Sequence, residues 1–316
     1  MSIITVGLWI VTSIFSSTSL ILLLKHLGRT LTCKYTVFLS TFHFLATWGF
    51  LQILASTGKI KNDKAVSFQK RILLAFLVVG SIVFMNFNLG ANSIGFYQMS
   101  KLVCVPYMVM HKMLVKHQVF STFELISLTV LIIGVALFSI SDIEVNLVGT
   151  IFALAAILCT VYNQMFTEEY QKEYGISGNE LQLSIAPIQF VLGCISSVGI
   201  EAFGEKGYLH HHFTMKEVIL MFLTCVFAVG VNLSTFNLIG TTSSITYQVV
   251  GHFKTILLLV FGYIFFPSKW GSTFQMIKAY TGIVIALCGV FMYSKAKMAP
   301  KKQDSVPLLE NKQEQV

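Results

Sequence analysis

Ten apolar runs of membrane-crossing length, separated by short polar breaks, leave this chain few folds to choose from. A crossing helix takes about 20 apolar residues. Runs of that kind fall at 3–24, 35–56, 72–91, 93–115, 121–140, 147–166, 180–203, 217–239, 243–266 and 275–294. The third and fourth are parted only at Ala91–Ser93, and the eighth and ninth only at Gly240–Ser243. No polar stretch is long enough to bury a core of its own. Of 316 residues, 55% are hydrophobic and 11% charged, whereas soluble domains carry about 25% charged residues. The chain therefore reads as an all-α integral membrane protein. Its first run has no basic segment before it and no small-residue cleavage site after it, so it is read as a retained helix.

Orientation follows from the basic residues. With both termini cytoplasmic, the inner segments hold thirteen Lys and Arg and the outer loops seven, which is the bias of the positive-inside rule. That distribution assigns the pI near 9.1 to topology and not to nucleic acid. The six cysteines, at 33, 104, 159, 194, 225 and 288, show neither metal-ligand spacing nor a disulfide framework and are read as packing residues. His43 and His252 are read the same way, and His210, His211 and His212 as a solvated outer loop. No metal and no cofactor is expected. An intramembrane enzyme is excluded by the lack of an Asp pair, a Gly-x-Ser-Gly motif or a His-Glu-x-x-His motif.

Of the 22 basic residues, the two left out of that count are Lys101 and Lys254, which lie well inside runs, whereas the 14 carboxylates are placed in loops, in the tail or at span ends. A charge at mid-bilayer costs at least about 2.5–3.5 kcal/mol even on a lenient scale. Two cations without anionic partners imply that their counter-ion is a substrate.

The segments leading to these lysines resemble each other. "NLGANSIGFYQMSK" (88–101) and "NLIGTTSSITYQVVGHFK" (237–254) share Asn88 with Asn237, and Tyr97-Gln98 with Tyr247-Gln248, at offsets of 149 and 150 residues. Such an offset indicates duplication. Five spans per half is an odd number, so the second copy runs upside down relative to the first. The expected architecture is ten transmembrane helices as two inverted five-helix repeats, about 1–142 and 143–296, with a binding site where the halves meet. A polar tail, 297–316, is expected to be disordered and cytoplasmic. Lys101 lies four residues past its tyrosine and Lys254 seven, so the symmetry is imperfect by about one helical turn.

Polar groups elsewhere in the runs have structural readings. Asn86, Asn88, Asn232 and Asn237 are expected to bond between helices, and the sequon at Asn232 is discounted because it falls inside the eighth run. Pro187 should kink the seventh. The small-residue pattern in "TGIVIALCGVFMYSK" suits close packing, either a homodimer contact or packing within the chain.

"NSIGFYQMSKLVCVP", "LQLSIAPIQF" and "VNLSTFNLIGTTSSITYQVVGHFKTILLLVFGYIFF" resemble the triose-phosphate translocator and nucleotide-sugar transporter family of the drug/metabolite transporter superfamily. The resemblance is to the branch with a Lys-Thr pair in helix nine, here Lys254-Thr255, and it extends from "SSTSLILLLKHL" to about Ser294. It implies ten helices, cytoplasmic termini and strict exchange of anionic metabolites. Plastid members for phosphorylated three-carbon compounds have arginine where this chain has Thr255, and the Gly-Ala-Leu-Asn-Lys pattern of GDP-mannose carriers is replaced by "VVGHFKT". The resemblance thus points to a UDP-sugar such as UDP-galactose, exchanged for a nucleoside monophosphate across a Golgi membrane. Lys101 and Lys254 would bind the diphosphate and Thr255 donate a hydrogen bond, with Tyr97, Gln98, Tyr247 and Gln248 as gate or ring-stacking residues. The alternatives are an antiporter of sugar phosphates or phosphoenolpyruvate against phosphate, and a regulatory membrane protein that keeps the fold without transporting.

Overall fold

The computed structural model describes residues 3–30, 35–60, 66–92, 100–139, 146–203, 207–265 and 273–298. Within them lie ten α-helices: α1 (Ile3–Thr30), α2 (Thr36–Ser56), α3 (Phe68–Ala91), α4 (Cys104–Leu114), α5 (Thr122–Ser139), α6 (Leu147–Tyr174), α7 (Gly178–Ser197), α8 (Met215–Thr241), α9 (Ser244–Phe265) and α10 (Thr273–Met298). Six of them, α1, α2, α3, α6, α7 and α8, are long and apolar enough to cross a membrane, and α5 and α10 carry shorter apolar stretches, 122–137 and 280–296. The expected breaks are present, α3 ending at Ala91 and α8 at Thr241. Of the tail, 297 and 298 continue α10 and the rest lies outside the described residues.

Burial is inverted relative to a soluble protein. Leu8, Phe76, Phe222 and Phe291 are exposed, while Ser13, Thr47, Gln182, Gln189 and Ser234 are fully buried. Exposed apolar rings meet lipid, and polar groups turn inward where they can be satisfied. Thr41 and Thr47 donate to the carbonyls of Val37 and His43 one turn back. Others bond between helices, as expected: Asn88 to Ser100 at 3.1 Å, Asn232 of α8 to Thr47 of α2 at 2.8 Å, and Asn237 of α8 to Asn179 of α7 at 2.6 Å. His43 of α2 is a satisfied packing residue, 3.1 Å from the Thr224 hydroxyl of α8.

Helix starts carry local signals. Ser177 with Glu180 and Thr214 with Glu217 are capping boxes that begin α7 and α8, and Ser121 and Glu124 bond reciprocally before α5. Pro187 lies inside α7, which stays helical through it and ends in a π-turn, Val198–Ala202. There Glu201 accepts from the Val37 and Phe38 amides at 2.9 and 2.8 Å, tying the start of α2 to the end of α7. Phe38 stacks on Tyr208 beside this contact.

Three expectations need correction. First, α6 runs to Tyr174 and not to 166, because "TEEYQKEY" continues the helix until Gly175, at φ 60°, closes it in the left-handed conformation. Second, Glu168 is therefore a buried helix residue and not a loop carboxylate, and Lys112, counted as a loop cation, is buried beside it. Third, the fourth run is not one continuous helix: Ser100–Leu102 is helical, the chain turns at Val103, and α4 begins at Cys104.

The heaviest helix packing pairs α5 with α10, α3 with α6, α1 with α8 and α2 with α7, followed by α3 with α7 and α2 with α8. Glycines permit the closest approaches. A Cβ on Gly134 of α5 would strike the backbone of Ala286 of α10, and one on Gly289 of α10 would strike the backbone of Leu131 of α5. Gly230 of α8 faces Ser16 of α1, and Gly80 of α3 faces Cys159 of α6. The small residues at 282, 286 and 289 are thus used against α5 within the chain. Gly134→Ala and Gly289→Ala should each lower stability by about 1–3 kcal/mol through overpacking. Gly49→Ala, whose Cβ would meet nothing within 4 Å, should be neutral or slightly stabilising; thermal unfolding in detergent measures all three.

Candidate functional site

The site is built on the first half of α9. Ser243 caps this helix, its hydroxyl accepting from the Thr246 amide at 3.1 Å. The Glu168 carboxylate of α6 accepts from the Ser244 amide at 2.9 Å and the Ser244 hydroxyl at 2.7 Å. An anion at a helix N-terminus is favoured by the exposed amides and the helix dipole. The same carboxylate takes Lys112 of α4 and Lys172 of α6, each at 2.6 Å. Lys112 and Glu168 are only 7% and 10% exposed at their side chains. One buried anion therefore joins α4, α6 and α9 at a single end of the bundle. The pairs Lys70–Glu173 and Lys116–Glu169 at that end are exposed and add little.

Beyond Ser244, residues spaced at i, i+4 and i+7 divide α9 into two faces. Ile245, Val249 and His252 are buried, the first two packed in one apolar cluster with Leu102, just before α4, and Val105 at its start. Tyr247, Gly251 and Lys254 form the second face. Lys254 Nζ donates to the Ser13 hydroxyl of α1 at 2.9 Å and lies 5.4 Å from the centroid of the Tyr247 ring. The Tyr247 hydroxyl is 3.1 Å from that of Thr235 in α8. The partners given to this cation are thus a hydroxyl and the negative face of an aromatic ring. Among the described residues it forms no salt bridge.

Lys101 sits immediately before the break in its helix. Pro106 accounts for that break, since it lacks the amide that would reach the Leu102 carbonyl and its ring crowds that oxygen. The Val103 amide bonds to Ser100 at 3.2 Å instead. Leu102, the residue after Lys101, packs in the same apolar cluster as Ile245 and Val249 of α9. The helix that follows, α4, is in contact with α9.

Of the other expected site residues, Tyr247 is in contact with Lys254, and Gln248 is half-buried one turn before His252. Thr255 belongs to α9, its side chain lying outside the described residues, as do Tyr97 and Gln98 entirely. Sequence reasoning missed Ser13, Thr235, Lys112 and Glu168. It also passed over Pro106, whose spacing to Leu102 was visible. Among the described residues no group of His, Cys, Asp and Glu could hold a metal ion.

Residues 3–294 match the model of the Triose-phosphate Transporter family. UDP-xylose transporter 1 of Arabidopsis thaliana is 33% identical over 312 residues, covering 94% of this chain and 90% of the relative. UDP-rhamnose/UDP-galactose transporter 2 of Arabidopsis thaliana is 32% identical over 279 residues, covering 86% of this chain and 77% of the relative. A crystal structure only 11% identical superposes with a TM-score of 0.69, covering 93% of this chain and 99% of the other, and shares the fold. These matches, with inward polar groups and outward apolar faces on helices of crossing length, make the protein a multi-pass membrane transporter, and it belongs to the Triose-phosphate Transporter family.

Proposed function

We propose that the protein exchanges a UDP-sugar for a nucleoside monophosphate by alternating access, with the diphosphate held between Lys101 and Lys254. The observation that carries this reading is the placement of Lys254, within a membrane helix, on the neutral groups Ser13 and Tyr247. An anion that enters with two phosphates completes the pairing that the described residues leave to a hydroxyl and a ring. The relatives, named for UDP-xylose, UDP-rhamnose and UDP-galactose, favour uridine nucleotides over sugar phosphates. In this reading Thr255, with Lys254, donates a hydrogen bond to the diphosphate, and Tyr97, Gln98, Tyr247 and Gln248 contact base or sugar. The membrane is assigned to the Golgi, where luminal glycosyl transfer consumes nucleotide sugars supplied from the cytoplasm.

The pairing of helices supports inverted repeats of 1–142 and 143–296, and the distribution of Lys and Arg supports cytoplasmic termini. Replacing each helix by the one five places along carries α1–α8 onto α6–α3 and α2–α8 onto α7–α3, and returns α2–α7 and α5–α10 to themselves. Particular residues follow the same rule. Gly80 and Gly230 serve equivalent contacts 150 residues apart, and Gly134–Ala286 corresponds to Gly289–Leu131 at an offset of 155. On that topology Glu168 closes the cytoplasmic end, fastening α9 to α4. Opening toward the cytoplasm requires this buried cluster to part, and the substrate's binding energy is available to drive it.

Lys254→Ala and Lys101→Ala should each reduce exchange of labelled UDP-sugar by about a hundredfold or more, since either leaves one phosphate charge unmatched in a low-dielectric site. The measurement is uptake into proteoliposomes with equal amounts of inserted protein; undiminished uptake by both variants would refute the paired-lysine site. Glu168→Gln should lower stability by about 3–5 kcal/mol by leaving Lys112 buried without its anion. It should also raise labelling of Thr246→Cys by a charged thiol reagent added from the cytoplasmic side. Unchanged stability together with unchanged labelling would remove Glu168 from the gate.

A further inference from the structure

We infer that Ser13 is a surrogate ligand for Lys254, a hydroxyl that occupies the ammonium while no anion is bound and competes with the incoming phosphate for it. The inference rests on the exchange reading above and deepens it by assigning a residue of α1 a role in both affinity and coupling.

The geometry is specific. Ser13 is fully buried, and its hydroxyl accepts from Lys254 Nζ across the α1–α9 contact at 2.9 Å, 241 residues away in sequence. Its position is fixed from two sides. Ser17, one turn along, donates to the Ser13 carbonyl at 2.5 Å. Ser16, three residues on and so on a neighbouring face, meets Gly230 of α8, where even a methyl group would collide. Gly230 thereby seats α1 closely enough on α8 for Ser13 to reach α9. Tyr247 closes the other side of the ammonium and is itself held by Thr235. The cation is therefore cradled by α1, α8 and its own helix. These are elements from both halves of the chain, which must shift relative to one another during alternating access.

A hydroxyl is a weak partner for an ammonium in a low-dielectric site. It satisfies one of the three N–H groups but supplies no compensating charge. Ser13 thus holds the empty site in order without removing the electrostatic cost of carrying the Lys254 charge uncompensated through the closed intermediate. A carboxylate at the same position would remove that cost and would also exclude the substrate's phosphate. Coupling therefore depends on residue 13 being polar and uncharged.

The test compares wild type, Ser13→Ala and Ser13→Asp in proteoliposomes, using labelled UDP-xylose and UDP-galactose with either UMP or no nucleotide inside. Ser13→Ala, which removes the competitor, should lower KM about threefold while uptake still requires internal UMP. Ser13→Asp, which supplies an internal counter-ion, should raise KM at least about tenfold and give uptake into empty vesicles approaching that into UMP-loaded ones. A raised KM in Ser13→Ala, or an unchanged KM and unchanged UMP requirement in Ser13→Asp, would overturn the assignment.

A substrate-free double-mutant cycle in unfolding temperature between Ser13→Ala and Lys254→Met tests the contact separately. Non-additive losses are expected, and additive ones would show that Ser13 does not hold Lys254. Should wild type exchange no uridine nucleotide while the cycle remains non-additive, the transport reading fails and the Ser13–Lys254 contact stands.

Discussion

An ammonium inside a membrane helix has to be given partners, and the way this chain partners Lys254 organises much of the rest. The ring of Tyr247 lies on the same face of α9, and the Ser13 hydroxyl comes from α1. Bringing α1 that near requires its tight seat on α8 at Gly230, and Tyr247 is oriented by Thr235 of α8. A strong carboxylate partner would be cheaper electrostatically, but it would fill the site permanently. On the proposed exchange reading, neutral partners keep the position available to an anion, at some cost in stability. That compromise is typical of a site whose strained groups serve function.

The contrast with Lys112 is instructive. This lysine is also buried, yet it has a full carboxylate at 2.6 Å, shared with Lys172 and the amide of Ser244. Here the buried ammonium has an anion of its own and the helix end is satisfied, so the cluster ties α4, α6 and α9 together. The two environments lie along the same helix, α9, whose start is anchored by Glu168 and whose interior carries Lys254. A movement that loosens the first can alter the cradle of the second, because both are attached to one rigid element.

Much of the architecture was legible because hydropathy and turn chemistry agree. Apolar length located the ten helices, and the breaks before α9 and after α3 fell where small and polar residues interrupt the runs. The last two turns of α6 were not legible from hydropathy, since "TEEYQKEY" looks like a loop until Glu168 is seen to be buried by partners from α4 and α9. Gly175 was the available signal for its true end. Lys101 and Lys254 stood out as charges in apolar runs, whereas Ser13 did not: it is one of several hydroxyl residues in α1, and a serine in a membrane helix commonly bonds backbone one turn back, as Ser17 does. Its role emerges only from a contact 241 residues distant. The corresponding half of the site near Tyr97 and Gln98 lies outside the described residues.

The central claim is that a diphosphate-bearing anion, and not a sugar phosphate, completes the lysine pair and makes exchange obligatory. Its most direct test is uptake of labelled UDP-sugar into proteoliposomes preloaded separately with UMP, GMP, CMP, inorganic phosphate or buffer. The account predicts strong stimulation by UMP and little uptake into phosphate-loaded or empty vesicles. Stimulation by inorganic phosphate alone, or equal uptake into empty vesicles, would contradict it.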